Sequence, residues 1–248
     1  MARIFITGSA DGIGSLTAKR LVDEGHKVVL HARNAQRARD ASAACPGAEQ
    51  VLIADLTSLE ETKQLAAEAN QLGTFDAVLH NAGLYLGMEK VPGKSGMPSL
   101  FCVNTLAPFV LTSLMHKPKR IVFISSSMHY GGQPRLDSIE NSNYSDSKLH
   151  NVMLAKAFAR RWPGVESNAA DPGWVPTKMG GSYAPDDLGA SIEEFRMLAL
   201  GEGNAKGQTG KYFVDSGLKA PAKAADDVAL QDRLVKELER ISGVTMPK

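Results

Sequence analysis

Short apolar runs of strand length alternate with longer amphipathic stretches of helix length along almost the whole sequence. Seven runs rich in Ile, Val, Phe and Leu are predicted to be strands, at 3–7, 27–31, 50–54, 75–80, 120–125, 164–169 and 211–214. Helical patterns lie between or after them, at 13–24, 34–44, 58–72, 98–115, 144–162 and 225–241. Such alternation produces βαβ units with right-handed crossovers. The sequence therefore predicts an α/β fold, with a doubly wound parallel sheet between two layers of helices.

The composition is that of a chain able to bury one sizeable core. Of the 248 residues, 43% are hydrophobic and 22% are charged, so a single domain over 1–248 is predicted. A net charge of +1 without blocks of like charge argues against nucleic acid and anionic membranes as partners. A small molecule is the expected partner. Cys45 and Cys102 have no second ligand nearby, so no metal site is expected.

The amino-terminal residues MARIFITG enter a strand-like run at once, which leaves no room for a secretory leader. No stretch reaches the ~18 uninterrupted apolar residues that a membrane span requires. The small number of cysteines suits a reducing compartment. We therefore expect a cytoplasmic protein.

A glycine-rich segment, TGSADGIG at 7–14, joins the first predicted strand to the first predicted helix. Gly8 would allow a tight turn, Gly12 would let backbone amides approach a pyrophosphate, and Gly14 would let the helix pack closely on the strand. Such strings also occur in ordinary turns. The strand before it and the helix after it favour a dinucleotide site.

The second predicted strand ends in HARN at 31–34, where a site for NAD usually carries a carboxylate that binds the ribose 2′-hydroxyl. Ala32 and Arg33 stand there instead. A guanidinium can bind a 2′-phosphate, which a carboxylate would repel, so NADP(H) is the predicted cofactor. A solvated Arg at the start of the next helix is the alternative.

The string YSDSKLH at 144–150 places Tyr144 and Lys148 four residues apart, hence on one face of the predicted helix. A tyrosine hydroxyl with a pKa of about 10 is a poor base near neutral pH. A lysine charge about 5 Å away would favour the phenolate by roughly 3 kcal/mol, about two pKa units. The pair is therefore predicted to act as an acid/base. Two surface polar residues on an amphipathic helix are the alternative.

Three irregular segments, 84–99, 128–143 and 176–208, follow predicted strands at the edge where open α/β sheets bind ligands. The segment 180–208 is long for a connection and carries glycines at both ends, which favours a substrate lid. It contains one predicted short helix, at 191–200. The apolar residues of one face of this helix are expected to close over the substrate: Ile192, Phe195, Leu198 and Ala199. A surface helix packed on the core is the alternative.

Several strings occur in the order found in one known family. These are TGSADGIG, Asp55 in ADLTS, HNAG at 80–83, Asn104 in FCVNTLAPFVLTS, ISSS at 124–127, Tyr144-x-x-x-Lys148 and DPGWVPTKMGG at 171–181. Over nearly its whole length the chain resembles the short-chain dehydrogenase/reductase family. The residue Arg33 and the strings SSSMH, YSDSKLHN and PGWVPTKMGG are similar to the branch with retinol dehydrogenases and WW-domain oxidoreductases, among its soluble bacterial-type members.

The resemblance implies a Rossmann fold and a reaction between an alcohol and a carbonyl compound. It implies that Tyr144 donates or accepts the proton, that Ser126 binds the substrate carbonyl, that Lys148 supports Tyr144, and that Asn104 positions a water. Either Ser126 or Ser127 could be the catalytic serine. In related strings it is the second serine of the pair after the last aliphatic residue of the strand, here Ile124, which favours Ser126. Family habit implies a homodimer or homotetramer built on helices 98–115 and 144–162.

The resemblance also implies the cofactor contacts. Asp55 would contact the adenine, the backbone of 81–83 the adenosine ribose, and Val175 and Thr177 the nicotinamide carboxamide. The full set of implied cofactor-binding residues is Gly8, Ser9, Gly12, Ile13, Gly14, Arg33, Asp55, Leu56, Asn81, Ala82, Gly83, Tyr144, Lys148, Pro172, Gly173, Val175 and Thr177.

Two other functions remain open on the residues alone. One is a non-catalytic dinucleotide sensor on the same fold, and the other is an epimerase or dehydratase that uses the same Tyr and Lys. The Gly spacing, the short chain and the lack of a separate substrate domain argue against an epimerase or dehydratase. The six histidines show no metal-ligand spacing, and each is expected to have an ordinary loop or surface role: His26, His31, His80, His116, His129 and His150.

Overall fold

The strand-like runs pair into one sheet, in a computed structural model that describes residues 1–247. The strands are β1 (Arg3–Ile6), β2 (Lys27–Ala32), β3 (Gln50–Ile53), β4 (Ala77–His80), β5 (Arg120–Ile124), β6 (Glu166–Asp171), β7 (Tyr212–Val214) and β8 (Gly217–Lys219). Their order is β3-β2-β1-β4-β5-β6-β7-β8. All neighbouring pairs are parallel except β7 and β8. The predicted doubly wound parallel sheet is confirmed.

Helices cover both faces of the sheet. They are α1 (Gly12–Asp23), α2 (Ala35–Ala44), α3 (Leu59–Gln71), α4 (Ser99–Phe101), α5 (Ala107–Leu114), α6 (Tyr144–Arg161), α7 (Leu188–Leu200), α8 (Lys223–Asp226) and α9 (Val228–Ser242). Buried clusters join α1, α2 and α7 to one face and α3, α5, α6 and α9 to the other. None of the helices within residues 1–247 is long and apolar enough to cross a bilayer.

The direction of the chain across the sheet reverses beside β1, which pairs with β2 on one side and with β4 on the other. The connections after β1 and β4 therefore run to helices on opposite faces of the sheet, α1 on one face and α5 on the other. A crevice for ligands forms at such a point in open α/β sheets. The glycine-rich segment 7–14 lies in one of these loops, and Asn81 lies in the other. This reversal places the predicted dinucleotide motif where open α/β sheets bind ligands.

The predicted helix over 98–115 is interrupted in its middle. Between α4 and α5 the backbone forms a π-helical turn over Cys102–Leu106, with Asn104 at its centre. Pro108 has no N–H to donate to the carbonyl of Asn104 four residues earlier, and its ring would clash with that carbonyl in a regular helix. The wider turn relieves this conflict, and such turns often occur at functional sites.

In the carboxyl-terminal half, one predicted strand boundary is wrong and one short strand was missed. The strand predicted at 164–169 lies at Glu166–Asp171, because Gly164 adopts a φ of +87° in the preceding turn. The short β8 strand was not predicted. It forms an antiparallel hairpin with β7 through Asp215 and Ser216, both of which have positive φ.

The helix of the predicted lid is a core element instead. α7 packs on the sheet beside α1, and Phe195 is fully buried in the same cluster as Ile6 and Leu21. The apolar face predicted to close over a substrate is therefore occupied by the sheet. A helix that covers a sheet and a helix that covers a ligand carry the same 3.6-residue period, so the pattern did not distinguish them.

The helices expected to form a subunit interface have little exposed surface. Residues 101–113 are all buried, and α6 exposes little beyond Arg160 near its carboxyl end. α9 packs on α6 through Leu234, Val235 and Leu238. Its Asp232 accepts hydrogen bonds from Arg160 at 2.6 Å and from Arg161 at 2.9 Å. A subunit interface on these two helices would require α9 to move.

We predict that Phe195→Ala lowers the free energy of unfolding by ~3–5 kcal/mol, because it leaves a cavity in the core. Urea titration followed by circular dichroism measures the change. Tyr183→Ala is the control, since that side chain is 94% exposed and its loss should alter stability by less than ~0.5 kcal/mol. Unchanged stability with a loss of turnover would restore the lid.

Candidate active site and cofactor crevice

The glycine-rich loop is shaped by close contacts that exclude side chains at two positions. Gly8 has a φ of +62°, and a Cβ there would lie 2.7 Å from the Cα of Ala82. A Cβ at Gly14 would lie 2.4 Å from the Asn81 side-chain nitrogen. That nitrogen donates to the carbonyls of Thr7 and Gly8, both at 2.9 Å. The structure thus brings predicted site residues of the β1 and β4 loops into direct contact.

The same loop is held from the side by β2. The Ser9 hydroxyl donates to the Ile6 carbonyl and accepts the His31 N–H, both at 2.9 Å. The His31 ring accepts the Gly8 N–H through Nδ1 and pairs with the Ala54 carbonyl through Nε2. Burial lowers the pKa of His31 to about 4, so the ring is neutral. His31 therefore has a structural role that sequence reasoning missed, and the Ser9 hydroxyl is used within the fold.

Arg33 lies just after β2 with its side chain exposed. It makes no ion pair with any other residue in 1–247. The nearby Arg37 does, because its guanidinium contacts Asp11 at 2.5 Å and Asp40 at 3.0 Å. Arg33 is thus an unpaired positive charge at the strand end where a carboxylate would favour NAD.

The next loop holds an ionised carboxylate. Asp55 accepts hydrogen bonds from the Thr57 backbone at 3.0 Å and the Thr57 hydroxyl at 2.8 Å, and Lys94 lies 3.4 Å away. Partial burial raises the pKa of Asp55, but these partners outweigh it and the net shift is downward. Leu56 is buried beside it. Asp55 can therefore accept hydrogen bonds from a ligand at fixed geometry.

Tyr144 and Lys148 lie on one face of α6, as the spacing predicts. Tyr144 is the first residue of the helix, where Asn143 and Asp146 form a capping box that fixes the helix start. The Lys148 Nζ lies 5.3 Å from the centre of the Tyr144 ring and donates to the Ile124 carbonyl at 2.9 Å. Both side chains are buried.

The three serines after β5 face different partners. Ser125 is buried, and its hydroxyl donates to the Lys148 carbonyl at 2.8 Å. The Ser126 side chain lies close enough to the Tyr144 hydroxyl to lower the pKa of that hydroxyl, whereas Ser127 is exposed. This contact favours Ser126 over Ser127 as the serine that meets a substrate oxygen.

Burial controls the protonation of Tyr144 and Lys148. It raises the pKa of the Tyr144 hydroxyl well above its usual value, and the nearby Ser126 side chain offsets the shift only in part. It lowers the pKa of Lys148 to about 8, against a smaller opposing effect of Asp171. The expected net lowering of the Tyr144 pKa does not occur in the protein alone, because burial dominates the shift. The Tyr144 hydroxyl is therefore protonated at neutral pH.

Asn104 joins the β4 loop to α6. Its side-chain oxygen accepts the Leu84 N–H at 2.7 Å, and its nitrogen donates to the Leu84 carbonyl at 3.0 Å and to Ser147 at 3.1 Å. A Cβ at Gly83 would lie 3.7 Å from both the Asn104 oxygen and the Lys148 Nζ. Asn104 thus lies beside Lys148, and its expected role through a water stays a prediction.

The loop after β6 depends on Asp171, which sequence reasoning quoted within DPGWVPTKMGG but gave no role. Its carboxylate accepts the Gly173 N–H at 3.0 Å and the Tyr212 hydroxyl at 3.1 Å. Thr177 accepts hydrogen bonds from the Gly180 and Gly181 amides farther along the loop.

The β6 loop faces the glycine-rich loop. A Cβ at Gly12 would lie 3.9 Å from the Thr177 side chain. On this loop Val175 is buried and Pro172 is half-buried. Ile13, at the start of α1, is also half-buried. The two loops predicted to hold opposite halves of a cofactor therefore border one crevice.

Exposed apolar side chains lie next to Tyr144 and on the β6 loop. The Tyr85 ring meets the Tyr144 ring edge-on at 4.7 Å, and the Tyr85 hydroxyl lies 4.0 Å from the Met128 sulfur. Trp174 and Met179, on the β6 loop, are 58% and 46% exposed. Within residues 1–247 no group of three potential metal ligands occurs. The site thus combines a buried, protonated phenol with exposed apolar side chains nearby and on the β6 loop.

Known proteins match this chain over its full length. The sequence model of the short chain dehydrogenase family matches residues 2–188. An uncharacterized oxidoreductase of Emericella nidulans is 48% identical, with 100% of this chain and 99% of that protein covered. The short-chain dehydrogenase chyC of Penicillium rubens is 42% identical over 100% of both chains. Human retinol dehydrogenase 13 is 28% identical, covering 98% of this chain and 85% of that protein.

Solved structures agree on the fold. A crystal structure of an uncharacterized protein from Mycobacterium paratuberculosis has a TM-score of 0.82 at 22% identity, covering 100% of this chain and 96% of that one. A short chain dehydrogenase from Shigella flexneri, complexed with NADP, has a TM-score of 0.67 at 24% identity, covering 87% and 97%. The sequence matches and the loop geometry agree: the chain belongs to the short-chain dehydrogenase/reductase family of oxidoreductases.

Proposed function

We propose that this oxidoreductase uses NADPH to reduce an apolar ketone or aldehyde, with Tyr144 as the proton donor. The observation that carries the proposal is the buried Tyr144 side chain, which lies beside Ser126 and one helical turn from Lys148. Carbonyl reduction needs a proton at the oxygen and a hydride at the carbon. The protein supplies the first of these.

The crevice residues fit a nicotinamide dinucleotide phosphate. The glycine-rich loop presents backbone to a pyrophosphate at the amino terminus of α1, where the helix dipole favours negative charge. Arg33 offers a permanently charged guanidinium for a 2′-phosphate. Asp55 suits the amino group of an adenine, and the β6 loop would hold a carboxamide. The NADP in the Shigella flexneri structure is consistent with this choice.

The chemistry at the substrate oxygen follows from three side chains. The bound cofactor would supply the hydride. Ser126 donates a hydrogen bond to the oxygen as negative charge develops there, typically worth ~3 kcal/mol. Tyr144 then gives its proton to that oxygen and becomes a phenolate. A lysine charge about 5 Å away stabilises the phenolate by roughly 3 kcal/mol at an effective dielectric constant near 20.

The substrate class follows from the walls of the site. Tyr85 and Met128 flank the approach to Tyr144, and the exposed rings of Tyr85 and Trp174 can bury apolar surface of a ligand. An uncharged carbonyl compound with a sizeable apolar group suits these surroundings.

We predict that the wild-type protein oxidises NADPH in the presence of apolar ketones or aldehydes. The loss of absorbance of the reduced nicotinamide measures the reaction. Tyr144→Phe should lower kcat by ~10²–10⁴-fold, because only the proton donor is removed. NADPH binding should stay nearly intact, as titration calorimetry would test. A variant that keeps more than about a tenth of the wild-type rate would contradict this role.

A separate prediction concerns the cofactor. Arg33→Ala should weaken NADPH binding by ~1.5–3 kcal/mol, the scale of a charged hydrogen bond, and should barely change NADH binding. Arg39→Ala is the matched control, because Arg39 is an equally exposed arginine nearby, on α2. Equal losses for NADPH and NADH, measured by fluorescence titration, would make Arg33 structural.

The pH dependence should follow Lys148. Its ammonium is charged below its pKa and neutral above it, so kcat should fall as pH rises through about 8. Tyr144, whose pKa is raised, stays protonated across this range. In Lys148→Arg, the guanidinium remains charged to about pH 12, so the falling limb should disappear even if the overall rate is lower. An unchanged limb in this variant would assign it to another group.

A further inference from the structure

His129 is fully buried three residues after Ser126, and both of its ring nitrogens are engaged. Nδ1 lies 2.7 Å from the Ser126 carbonyl oxygen, and Nε2 accepts the Ala222 N–H at 3.0 Å. A carbonyl can only accept and an N–H can only donate, so Nδ1 carries the proton. Burial lowers the pKa of His129, in keeping with a neutral ring.

Aromatic packing holds this ring in place. It lies 4.7 Å from the Tyr212 ring in an edge-on contact and 4.1 Å from the Tyr130 ring. Tyr130 donates its hydroxyl proton to the Ala220 carbonyl at 2.6 Å. Tyr212 donates to Asp171, which also binds the Gly173 amide. The His129 ring thus connects the loop after β5 with Tyr212 of β7 and with the segment that follows β8.

Ser126 lies at the start of an exposed turn, where its hydroxyl accepts the Met128 N–H at 3.3 Å. Ser127 and Met128 are exposed, and the turn over Ser127–Gly131 is only five residues long. The Ser126 carbonyl accepts two hydrogen bonds, one from the His129 backbone at 2.9 Å and one from its ring. A fixed carbonyl fixes the peptide plane, and with it the direction of the Ser126 side chain toward Tyr144.

We propose that His129 is a positioning residue that holds the Ser126 hydroxyl in place for carbonyl reduction. This inference rests on the proposed function. His129 touches neither Tyr144 nor Lys148 and acts through Ser126. The histidine of SSSMH, for which the sequence suggested only an ordinary loop role, thereby gains a specific part in the site.

The test compares two substitutions that separate the ring from its hydrogen bonds. His129→Phe keeps an aromatic ring against Tyr212 but loses both hydrogen bonds. His129→Gln keeps a donor and an acceptor. We expect kcat to fall ~10–100-fold in the Phe variant, the scale of a misplaced reacting group, and to stay within about threefold in the Gln variant. The Kd for NADPH should not change in either variant.

A double-mutant cycle with Ser126→Ala distinguishes positioning from general destabilisation. In the Ser126→Ala background, His129→Phe should lower kcat by less than about twofold further, since no serine hydroxyl remains to misplace. Additive effects would overturn the inference. His26→Phe is the control, because His26 also accepts a backbone N–H, that of Ala2, but lies near the opposite edge of the sheet. Its kcat should be unchanged.

Ala222→Pro keeps the test decisive if His129→Phe does not fold. Ala222 has a φ of −55°, which suits proline, and the substitution removes only the N–H that His129 accepts. We expect a ~3–10-fold loss of kcat that disappears in the Ser126→Ala background. Wild-type turnover in Ala222→Pro would overturn the inference. An inactive wild-type protein overturns the proposed function and this inference together, whereas an active wild type with an additive cycle overturns this inference alone.

Discussion

The carbonyl oxygen of Ile124, the last residue of β5, accepts hydrogen bonds from two side chains of α6. Lys148 and Asn151 both donate to it at 2.9 Å, and the neighbouring Ser125 hydroxyl donates back to the Lys148 carbonyl. These bonds set how far along β5 the helix α6 lies, because a slip by one residue would break all three. The position of Tyr144 beside Ser126 depends on this register. The candidate acid/base site therefore depends on how one helix is docked against one strand.

The same docking explains the electrostatics. Taking α6 out of water raises the pKa of Tyr144 and lowers that of Lys148, since burial penalises the charged form of each group. The two shifts keep a protonated phenol beside an ammonium group that loses its proton near pH 8. A buried ammonium with a neutral carbonyl as its partner is poorly stabilised. It gains most from a negative charge that forms beside it, as a phenolate would during proton transfer.

Sequence reasoning was most successful where a residue acts through its backbone or through a near neighbour. The glycines of 7–14 were predicted from the steric demands of the turn, and the structure has the close approaches that exclude a Cβ at Gly8 and Gly14. The i, i+4 spacing placed Tyr144 and Lys148 together. Asp171, His31 and His129 were missed because each also bonds to a residue 23 or more positions away, Tyr212, Gly8 and Ala222 respectively. No local pattern marks such partners.

The printed sequence by itself determined the alternation of strands and helices, hence the doubly wound sheet, and the order in which its loops reach one edge. These features follow from local periodicity and from the geometry of parallel crossovers. The tertiary structure alone decided what each apolar face covers. α7 carries the period of a lid but packs on the sheet, and α9 covers α6, where a partner subunit was expected. It also decided the ionisation of Tyr144, because a pKa depends on burial and on partners that only folding brings together.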